Sequence, residues 1–171
     1  MTRPLPTPRT HGVLDSPLGP LSVLAQGGAL LGLWMESHRR SAHLPLGVRE
    51  DGAFTSLVTQ LNEYFVGDRR SFDVPVAPEG EEFQRRVWDL LLSIPYGQTR
   101  TYGDLARALG QPGMAQAVGG ANARNPISIV IPCHRVVGAS GALTGYAGGL
   151  AAKRFLLALE APSAETGGRL F

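Results

Sequence analysis

The only cysteine of the chain, Cys133, is followed directly by a histidine and an arginine in the run PCHR at 132–135. A cysteine thiol has a pKa of about 8.5, so little of it is the nucleophilic thiolate at pH 7 unless a base or a cation assists. His134 and Arg135 are side chains of those two kinds, although neighbours in sequence need not face each other. The residues alone leave two interpretations, a reactive thiol or a small buried hydrophobic side chain.

A carboxylate near the end of the chain could complete a reactive site. The apolar run 127–131 predicts a strand that leads into Cys133, and the pattern of apolar residues predicts a last helix over 150–160, ending at Glu160. The negative end of a helix dipole disfavours a carboxylate, so a buried Glu160 would need a partner such as His134, in a Cys–His–Glu arrangement. Considered alone, the sequence favours a solvated Glu160.

Between these segments lies the loop TGYAGG at 144–149, which combines three glycines with the aromatic ring of Tyr146. Glycine-rich loops can present backbone N–H groups around a ligand. The loop is therefore a candidate binding site for a flat molecule.

Charge is divided unequally along the chain. Residues 1–82 carry 7 Arg against 10 Asp and Glu, whereas 83–154 carry 8 Lys and Arg against only Asp89 and Asp104. The net charges of these two segments are therefore −3 and +6. A basic half joined to an acidic half indicates a polyanionic partner for the basic half, such as a nucleic acid.

The first half predicts a small α/β scaffold domain over 11–78, preceded by a flexible tail over 1–10. Strands are expected at 12–15, 20–25 and 30–35, joined by two hairpin turns in an antiparallel sheet. A polar loop at 36–51 should lead to an amphipathic helix over 54–65 and then to a strand at 72–76. The histidines of this half fit no metal-ligand spacing and are expected on the surface or in loops: His11, His38 and His43.

The second half, 79–165, predicts a helix-turn-helix domain. A helix over 83–94 should precede a short one that begins with Thr101 as N-cap and Asp104 in its first turn. After a Gly-Pro turn, the next helix, 114–124, is almost without large side chains and contains two interior glycines. Glycine is unfavourable in a helix, which indicates either close packing of a neighbouring element or the approach of a large surface such as a nucleic acid groove.

Composition excludes several classes of protein. One cysteine permits neither an intramolecular disulfide nor a cysteine-rich zinc site, and no apolar run reaches the roughly 20 residues that a membrane span needs. The N-terminus lacks the apolar segment of a signal peptide. We expect a cytoplasmic, membrane-independent monomer with no metal and no cofactor.

Half of the chain resembles one family in unbroken order. The segments that carry the resemblance are FQRRVW at 83–88, IPYG at 94–97, TYGDLA at 101–106, AVGGA at 117–121, NP at 125–126, PCHRV at 132–136, GYAGGL at 145–150 and the leucine-rich helix to Glu160. In these segments the chain resembles the O6-alkylguanine-DNA alkyltransferases, also called methylated-DNA–protein-cysteine methyltransferases. The resemblance implies an α/β (α+β) fold, with a small ribonuclease-H-like antiparallel-sheet domain followed by a winged-helix-like helix-turn-helix domain.

The same resemblance implies DNA repair by direct damage reversal. An alkyl group would pass irreversibly from O6 of a flipped guanine in double-stranded DNA to Cys133, in a single turnover that consumes the protein. Activity on O4 of alkylated thymine stays open. The DNA would be bound through its minor groove by the second helix of the helix-turn-helix.

Roles for individual residues follow from the resemblance only. Cys133 would be the nucleophile and methyl acceptor, assisted by His134 through a water and by Glu160, which orients the histidine. Asn125 would hold the turn around the cysteine, and Tyr102 would assist base flipping and contact the leaving guanine. The remaining members of the predicted site bind substrate (Tyr146, Ala147, Gly148, Val136 and Arg135) or DNA (Gln116, Ala115, Gly119, Arg124, Thr101 and again Tyr102).

Two residues depart from the family pattern. Gln116 occupies the position of an arginine that fills the space left by the flipped base, and Ala147 stands where some relatives have a hydroxyl. We expect weaker flipping or affinity from the first and altered adduct preference from the second. Two other functions compete with repair: a non-catalytic helix-turn-helix damage sensor, which would lack a reactive cysteine, and a Cys–His hydrolase, which would leave the bare basic helix without a role.

Overall fold

A computed structural model of the chain describes residues 5–38 and 47–162. The predicted loop histidine His43, the first residues of the predicted tail and the end of the predicted second domain lie outside this part. The structure is a mixed α/β fold with an N-terminal sheet and a C-terminal helical domain, as predicted. Its strands and helices are, in chain order, β1 (Arg9–Leu14), β2 (Leu21–Gln26), β3 (Ala29–Met35), β4 (Val48–Arg49), α1 (Thr55–Phe65), α2 (Glu82–Leu92), β5 (Arg100–Thr101), α3 (Tyr102–Ala108), α4 (Ala115–Ala123), β6 (Val136–Val137) and α5 (Leu150–Glu160).

The N-terminal sheet has the strand order β3-β2-β1-β4, and the first three strands are antiparallel neighbours, as the two predicted hairpins require. The first hairpin closes where Gly19 N donates to Ser16 O (3.0 Å), with Gly19 at a φ of 90° that glycine tolerates. Two differences from prediction concern the ends of the sheet. Strand β1 begins at Arg9, inside the segment expected to be a tail, and β4 lies parallel to β1 within the segment expected to be a loop.

Helix α1 packs on this sheet with Leu57, Leu61 and Tyr64 buried, and the chain turns away at Gly67 (φ 85°) as predicted. The strand expected at 72–76 is wrong. Only one isolated bridge, between Leu30 and Val76, joins this segment to the sheet. Pro75 and Pro78 explain the difference, because proline has no N–H to donate to a ladder.

The C-terminal half is helical, and its helix-turn-helix pair α3 and α4 is confirmed. Thr101 caps α3 as predicted: its side chain accepts from Asp104 N (3.0 Å), and the Asp104 carboxylate accepts from Thr101 N (2.8 Å). Trp88 of α2 donates its indole N–H to the carbonyl of Ala121 in α4 (2.9 Å). Helix α4 therefore rests on α2, with its opposite side directed outward.

The two halves share one hydrophobic core. Strand β3 contributes its outer edge to the second half, since Leu33 N donates to Pro126 O and Ser128 N donates to Leu33 O, both at 2.9 Å. This edge holds the segment that leads into Cys133. The predicted strand at 127–131 is wrong, because the segment folds as a series of turns with a single bridge at Ile127 and a φ of 71° at Ile129.

Two further observations concern the surface. His38 lies in the loop after β3, one of the two positions predicted for it, and is buried there (4% exposed). Within the ranges 5–38 and 47–162, no helix has the length and apolar character needed to cross a membrane.

Candidate active site

Cys133 opens a short 3-10 helix, Cys133–Arg135, at the end of the turn segment. Asn125 closes that segment on itself. Its amide nitrogen donates to the carbonyls of Ile127 (3.3 Å) and Ile131 (2.9 Å), and its amide oxygen accepts from Ile127 N (3.0 Å). Buried backbone groups need hydrogen-bond partners. The single side chain of Asn125 supplies partners for three backbone groups that a strand would have paired with a neighbouring strand. Asn125 thus lies where the resemblance implied, around the cysteine.

The thiol of Cys133 is a buried free thiol, 3% exposed. Burial raises its pKa, because the thiolate loses solvation, and the neighbouring Asn125, Lys153 and Tyr146 lower it in part. The net direction is upward. At rest the group is therefore a protonated thiol, and a base must remove its proton before it can attack.

His134 and Glu160 form the predicted pair. His134 Nε2 lies 2.8 Å from Glu160 Oε1, and both side chains are almost fully buried. The solvated Glu160 that the residues alone favoured is wrong. The unfavourable helix dipole is outweighed by hydrogen-bond donors from three different segments of the chain, which converge on this carboxylate.

Glu160 has two further strong partners. Arg135 donates through Nε to Oε2 and through Nη2 to Oε1, both at 2.8 Å, and the Tyr64 hydroxyl donates to Oε1 at 2.7 Å. Gly97 N adds a long contact of 3.4 Å to Oε2. Burial by itself would raise the pKa of Glu160, but the hydrogen bonds from His134 and Arg135 outweigh it, and the pKa lies well below the ordinary value. Glu160 is therefore ionised at neutral pH.

The ionised carboxylate determines which nitrogen of His134 carries the proton. A carboxylate can only accept, so Nε2 must be the donor. Burial lowers the pKa of His134 more than Glu160 raises it, which leaves the ring neutral at pH 7. Its Nδ1 then carries a lone pair, and within the described structure this buried atom has no hydrogen-bond partner. A neutral histidine with an unprotonated Nδ1 is chemically competent to act as a general base.

Arg135 was predicted to bind substrate. The structure instead places its guanidinium, 8% exposed, between Glu160 and the carbonyl of Ile94, to which Nη1 donates at 2.6 Å. The guanidinium also lies over the ring of Tyr96, 5.8 Å from its centroid. Its donors are directed inward, so its observed position supports the carboxylate.

The loop with Tyr146 borders Cys133 from the other side. The Tyr146 hydroxyl is buried, and no side chain or backbone group in the described ranges bonds it with good geometry. Burial, followed by the nearby Cys133, raises its pKa well above the ordinary value, so it stays a hydroxyl donor. Gly148 packs against the first domain: a Cβ built on it would lie 2.2 Å from Met35 Sδ. Glycine at 148 lets this loop lie against β3.

Lys153 is one residue of the site that sequence reasoning missed. It is fully buried in α5, and its Nζ donates to Val136 O (2.6 Å) and to Thr144 O (2.9 Å). It thereby ties the strand after Cys133 to the loop that carries Tyr146. Burial lowers the pKa of Lys153, and the nearby Cys133 raises it in part. Its signal in the sequence was that it is the only lysine in a chain of 16 basic residues.

The predicted DNA-binding residues lie along helices α3 and α4. Five of the six border one groove of about 730 Å³ between these helices: Thr101, Tyr102, Ala115, Gln116 and Gly119. The sixth, Arg124, borders a second groove on the opposite flank of α4, facing α2, and Gln116 reaches both. Tyr102 also contacts the Tyr146 loop, because Thr144 Oγ1 donates to its hydroxyl at 3.3 Å.

Packing within the protein does not explain the two glycines of α4. A Cβ on Gly119 would lie 3.7 Å from the Tyr102 ring, and one on Gly120 would lie 3.4 Å from a terminal nitrogen of Arg124. Alanine would therefore fit at both positions with ordinary contacts or a small side-chain shift. Of the two explanations that the sequence left open, the approach of an external surface is the one that the contacts support.

Helix α4 also reaches the cysteine. Asn122, 3% exposed, points inward and donates to the carbonyl of Cys133 at 3.4 Å. Sequence reasoning did not single it out, because a polar residue within a helix gives no sign of which side it occupies.

Fold and site together define a class: a two-domain protein in which a buried Cys–His–Glu group lies directly behind a helix-turn-helix. Two family models match the chain, the ribonuclease-like domain of 6-O-methylguanine DNA methyltransferase over 10–78 and its DNA binding domain over 82–162. The chain therefore belongs to the methylated-DNA–protein-cysteine methyltransferase family.

Individual relatives agree with this assignment. A methylated-DNA–protein-cysteine methyltransferase of Mycobacterium tuberculosis is 49% identical over 150 residues, which are 88% of this chain and 91% of the relative. One from Methanosarcina acetivorans is 46% identical over 88% of this chain and 97% of its own. A crystal structure of Mycobacterium tuberculosis OGT in complex with DNA matches with a TM-score of 0.83 and 49% identity, covering 90% of this chain and 96% of that one.

Proposed function

We propose that this protein repairs DNA by moving an alkyl group from O6 of guanine to its own Cys133. The observation that carries the proposal is a buried thiol directly followed in the chain by a neutral buried His134, whose Nε2 is bonded to an ionised Glu160. Family membership supports the same chemistry. The protein is then a methylated-DNA–protein-cysteine S-methyltransferase.

The transfer step balances within the protein and the DNA. The Cys133 proton passes to His134 Nδ1, by way of a bridging water, as the resemblance implies. The sulfur electron pair then forms a bond to the alkyl carbon while the C–O6 bond breaks. Its electrons leave with the guanine, which gains one proton in exchange for the one that Cys133 gave up, so the net products are the thioether and an ordinary guanine. Glu160 holds the imidazole in position and stabilises its positive charge.

The product is a thioether, which explains why we propose a single turnover. A carbon–sulfur bond of this kind has no leaving-group thiol and is not reversed by cellular reductants, unlike a disulfide. Each molecule of protein would repair one base. No cofactor or metal enters the scheme.

The burial of Cys133 requires the damaged base to leave the duplex. O6 of guanine lies at the major-groove edge of a stacked base, where a thiol 3% exposed cannot reach it. Alkylation at O6 weakens pairing and so lowers the cost of flipping the damaged base. Tyr146, Ala147, Gly148 and Val136 would form the pocket that receives it.

We infer that the groove beside α4 receives the DNA, through its minor groove. The glycines of α4 have no side chains, so a DNA strand could approach the helix backbone closely. The segment 83–154 has a net charge of +6, which favours binding to the phosphates of DNA. Gln116, Ala115, Gly119 and Arg124 would contact the strands, with Thr101 and Tyr102 near the flipped nucleotide. Monomeric action in a reducing, cytoplasmic compartment fits a mechanism that needs one free thiol per molecule.

The test uses duplex DNA in which one O6-methylguanine carries a labelled methyl group. After incubation, peptide mass spectrometry should place the label on Cys133, with at most one label per protein molecule. Cys133→Ala supplies the control and should carry none. A wild-type protein that binds the DNA but gains no label would instead be a non-catalytic sensor, and continued release of product beyond one equivalent would indicate a hydrolase.

A further inference from the structure

One side chain of the first domain, that of Tyr64, contacts the candidate active site of the second domain. Tyr64, at the end of α1, donates its hydroxyl to Glu160 Oε1 at 2.7 Å across the interface between the domains. Both groups are buried, Tyr64 at 0% and Glu160 at 2% exposure. We propose that Tyr64 is a positioning residue for alkyl transfer, acting through Glu160 on the histidine. This inference rests on the proposed function.

The Tyr64 ring is held too firmly for its hydroxyl to be an incidental contact. Phe72 lies 5.3 Å from it, Phe65 lies 5.4 Å away edge-on, and Tyr96 lies 6.2 Å away at an interplanar angle of 87°, all between centroids. A ring that is packed on three sides has already lost most of its side-chain conformational entropy, so the hydrogen bond from its hydroxyl to Glu160 costs little more. Its direction toward Glu160 is therefore set by the aromatic cluster.

Tyr64 and His134 share one carboxylate oxygen. Oε1 accepts from the Tyr64 hydroxyl, from His134 Nε2 and from Arg135 Nη2, whereas Oε2 accepts only from Arg135 Nε and, at 3.4 Å, from Gly97 N. Each donor on Oε1 reduces the negative charge available to the others. The tyrosine thus moderates the pull of Glu160 on the histidine as well as fixing its orientation.

The Tyr64 hydroxyl keeps its proton throughout the working range of pH. Burial, and then the adjacent Glu160, raise its pKa far above the ordinary value, so it remains a donor. The other charged or titratable groups that face the pair are Arg135 and His134 from the 3-10 helix, Tyr96 from the loop after α2, and Tyr146 from the glycine-rich loop, while Lys153 of α5 faces His134. All of these belong to the second domain, so within the described ranges Tyr64 is the side chain by which the first domain bonds the Glu160 carboxylate.

Tyr64→Phe removes the hydroxyl and keeps the ring. Freed from one donor, Glu160 should bind the histidine proton more strongly, and the pKa of His134 should rise. The rate of alkyl transfer should rise with pH as His134 loses its proton. In Tyr64→Phe this rise should occur at a pH higher by about half a unit. The single-turnover rate at pH 7 should fall by about 3- to 10-fold, chiefly because the base is less well oriented, since a half-unit rise in the pKa of His134 lowers the population of the neutral ring at pH 7 by less than about twofold.

The matched control is Tyr96→Phe. It removes a hydroxyl from the same aromatic cluster, but that hydroxyl bonds the carbonyl of Leu159 (3.2 Å) and not the carboxylate. We expect it to leave the pH at which the rate rises unchanged. A merely structural role for Tyr64 would lower the melting temperature in both variants and shift that pH in neither, which would overturn the proposal.

A second measurement separates this inference from the proposed function. NMR titration of the His134 ring, assigned with a His134→Asn sample, reports its pKa in the absence of any substrate. An upward shift in Tyr64→Phe but not in Tyr96→Phe supports the link, even if wild-type protein transfers no label to Cys133. An unchanged His134 pKa refutes the link, whether or not the wild type is active.

Discussion

Replacing Glu160 by glutamine tests whether its buried ion pair holds the site together. Glutamine has nearly the same shape, but its amide would direct N–H donors at the donors of Arg135, which lie 2.8 Å away. The guanidinium would then be buried without a counter-charge. Removing one partner of a buried ion pair costs about 3–5 kcal/mol. We expect a loss of this size in the free energy of unfolding at pH 7, which a domain of ordinary stability survives.

The loss should depend on pH in one direction. The pKa of Glu160 is lower in the folded protein than in the unfolded chain, so the carboxylate adds stability above the unfolded pKa of about 4.3. That contribution decreases as the pH falls from there toward the folded-state pKa. The difference in stability between wild type and Glu160→Gln should therefore be full at pH 7 and smaller below about pH 4.

Urea denaturation followed by the fluorescence of the two buried tryptophans, Trp34 and Trp88, measures both quantities. The control is Glu63→Gln, which removes a carboxylate 2.6 Å from Arg69 Nε that is 42% exposed. An exposed pair contributes at most about 1 kcal/mol. The reasoning would be refuted if Glu160→Gln cost no more than Glu63→Gln, or if its cost stayed constant from pH 7 to pH 3.5.

Four other substitutions test separate parts of the site. Lys153→Met should leave the buried carbonyl of Val136 unpaired at about 1–3 kcal/mol and the partly buried carbonyl of Thr144 at a smaller cost. It should also shift iodoacetamide labelling of Cys133 to higher pH, and an unshifted labelling profile would contradict this. Gly119→Ala should weaken DNA binding while leaving the free energy of unfolding unchanged or raising it by up to about 1 kcal/mol. The control Gly52→Ala, at a position with no atoms within 4 Å of the added Cβ, should not affect binding. Equal DNA affinities of the two variants would refute the groove interpretation. Gln116→Arg should tighten binding and steepen the slope of log affinity against log salt by about 0.9, and an unchanged slope would show that no new phosphate contact forms. Ala147→Ser should change the ratio of transfer rates for methyl and benzyl adducts, and identical ratios would rule out a specificity role.

Local pattern predicted most of the elements. The two hairpins, the amphipathic α1, the Thr101 cap and the helix-turn-helix follow from the spacing of apolar residues and from turn and capping residues, which act over a few positions. Two predicted strands were wrong. The segment 72–76 packs its half-buried apolar residues on the core without a ladder, and the segment 127–131 buries its apolar residues in a series of turns. A short apolar run has the same appearance in a strand and in a buried loop, since burial alone selects its residues.

The sequence by itself determined that one thiol, one adjacent histidine and a glycine-rich aromatic loop follow a basic helix pair, and their order was enough to indicate the family. It could not determine the state of Glu160, because a carboxylate at a helix end is solvated or buried according to what packs on it. Only the tertiary structure brought Tyr64 from the first domain, Arg135 from the 3-10 helix and His134 to that one carboxylate. Cys133 and its neighbour His134 are a candidate nucleophile and base by their sequence, and contacts between residues far apart in the chain build the buried carboxylate site that holds the histidine.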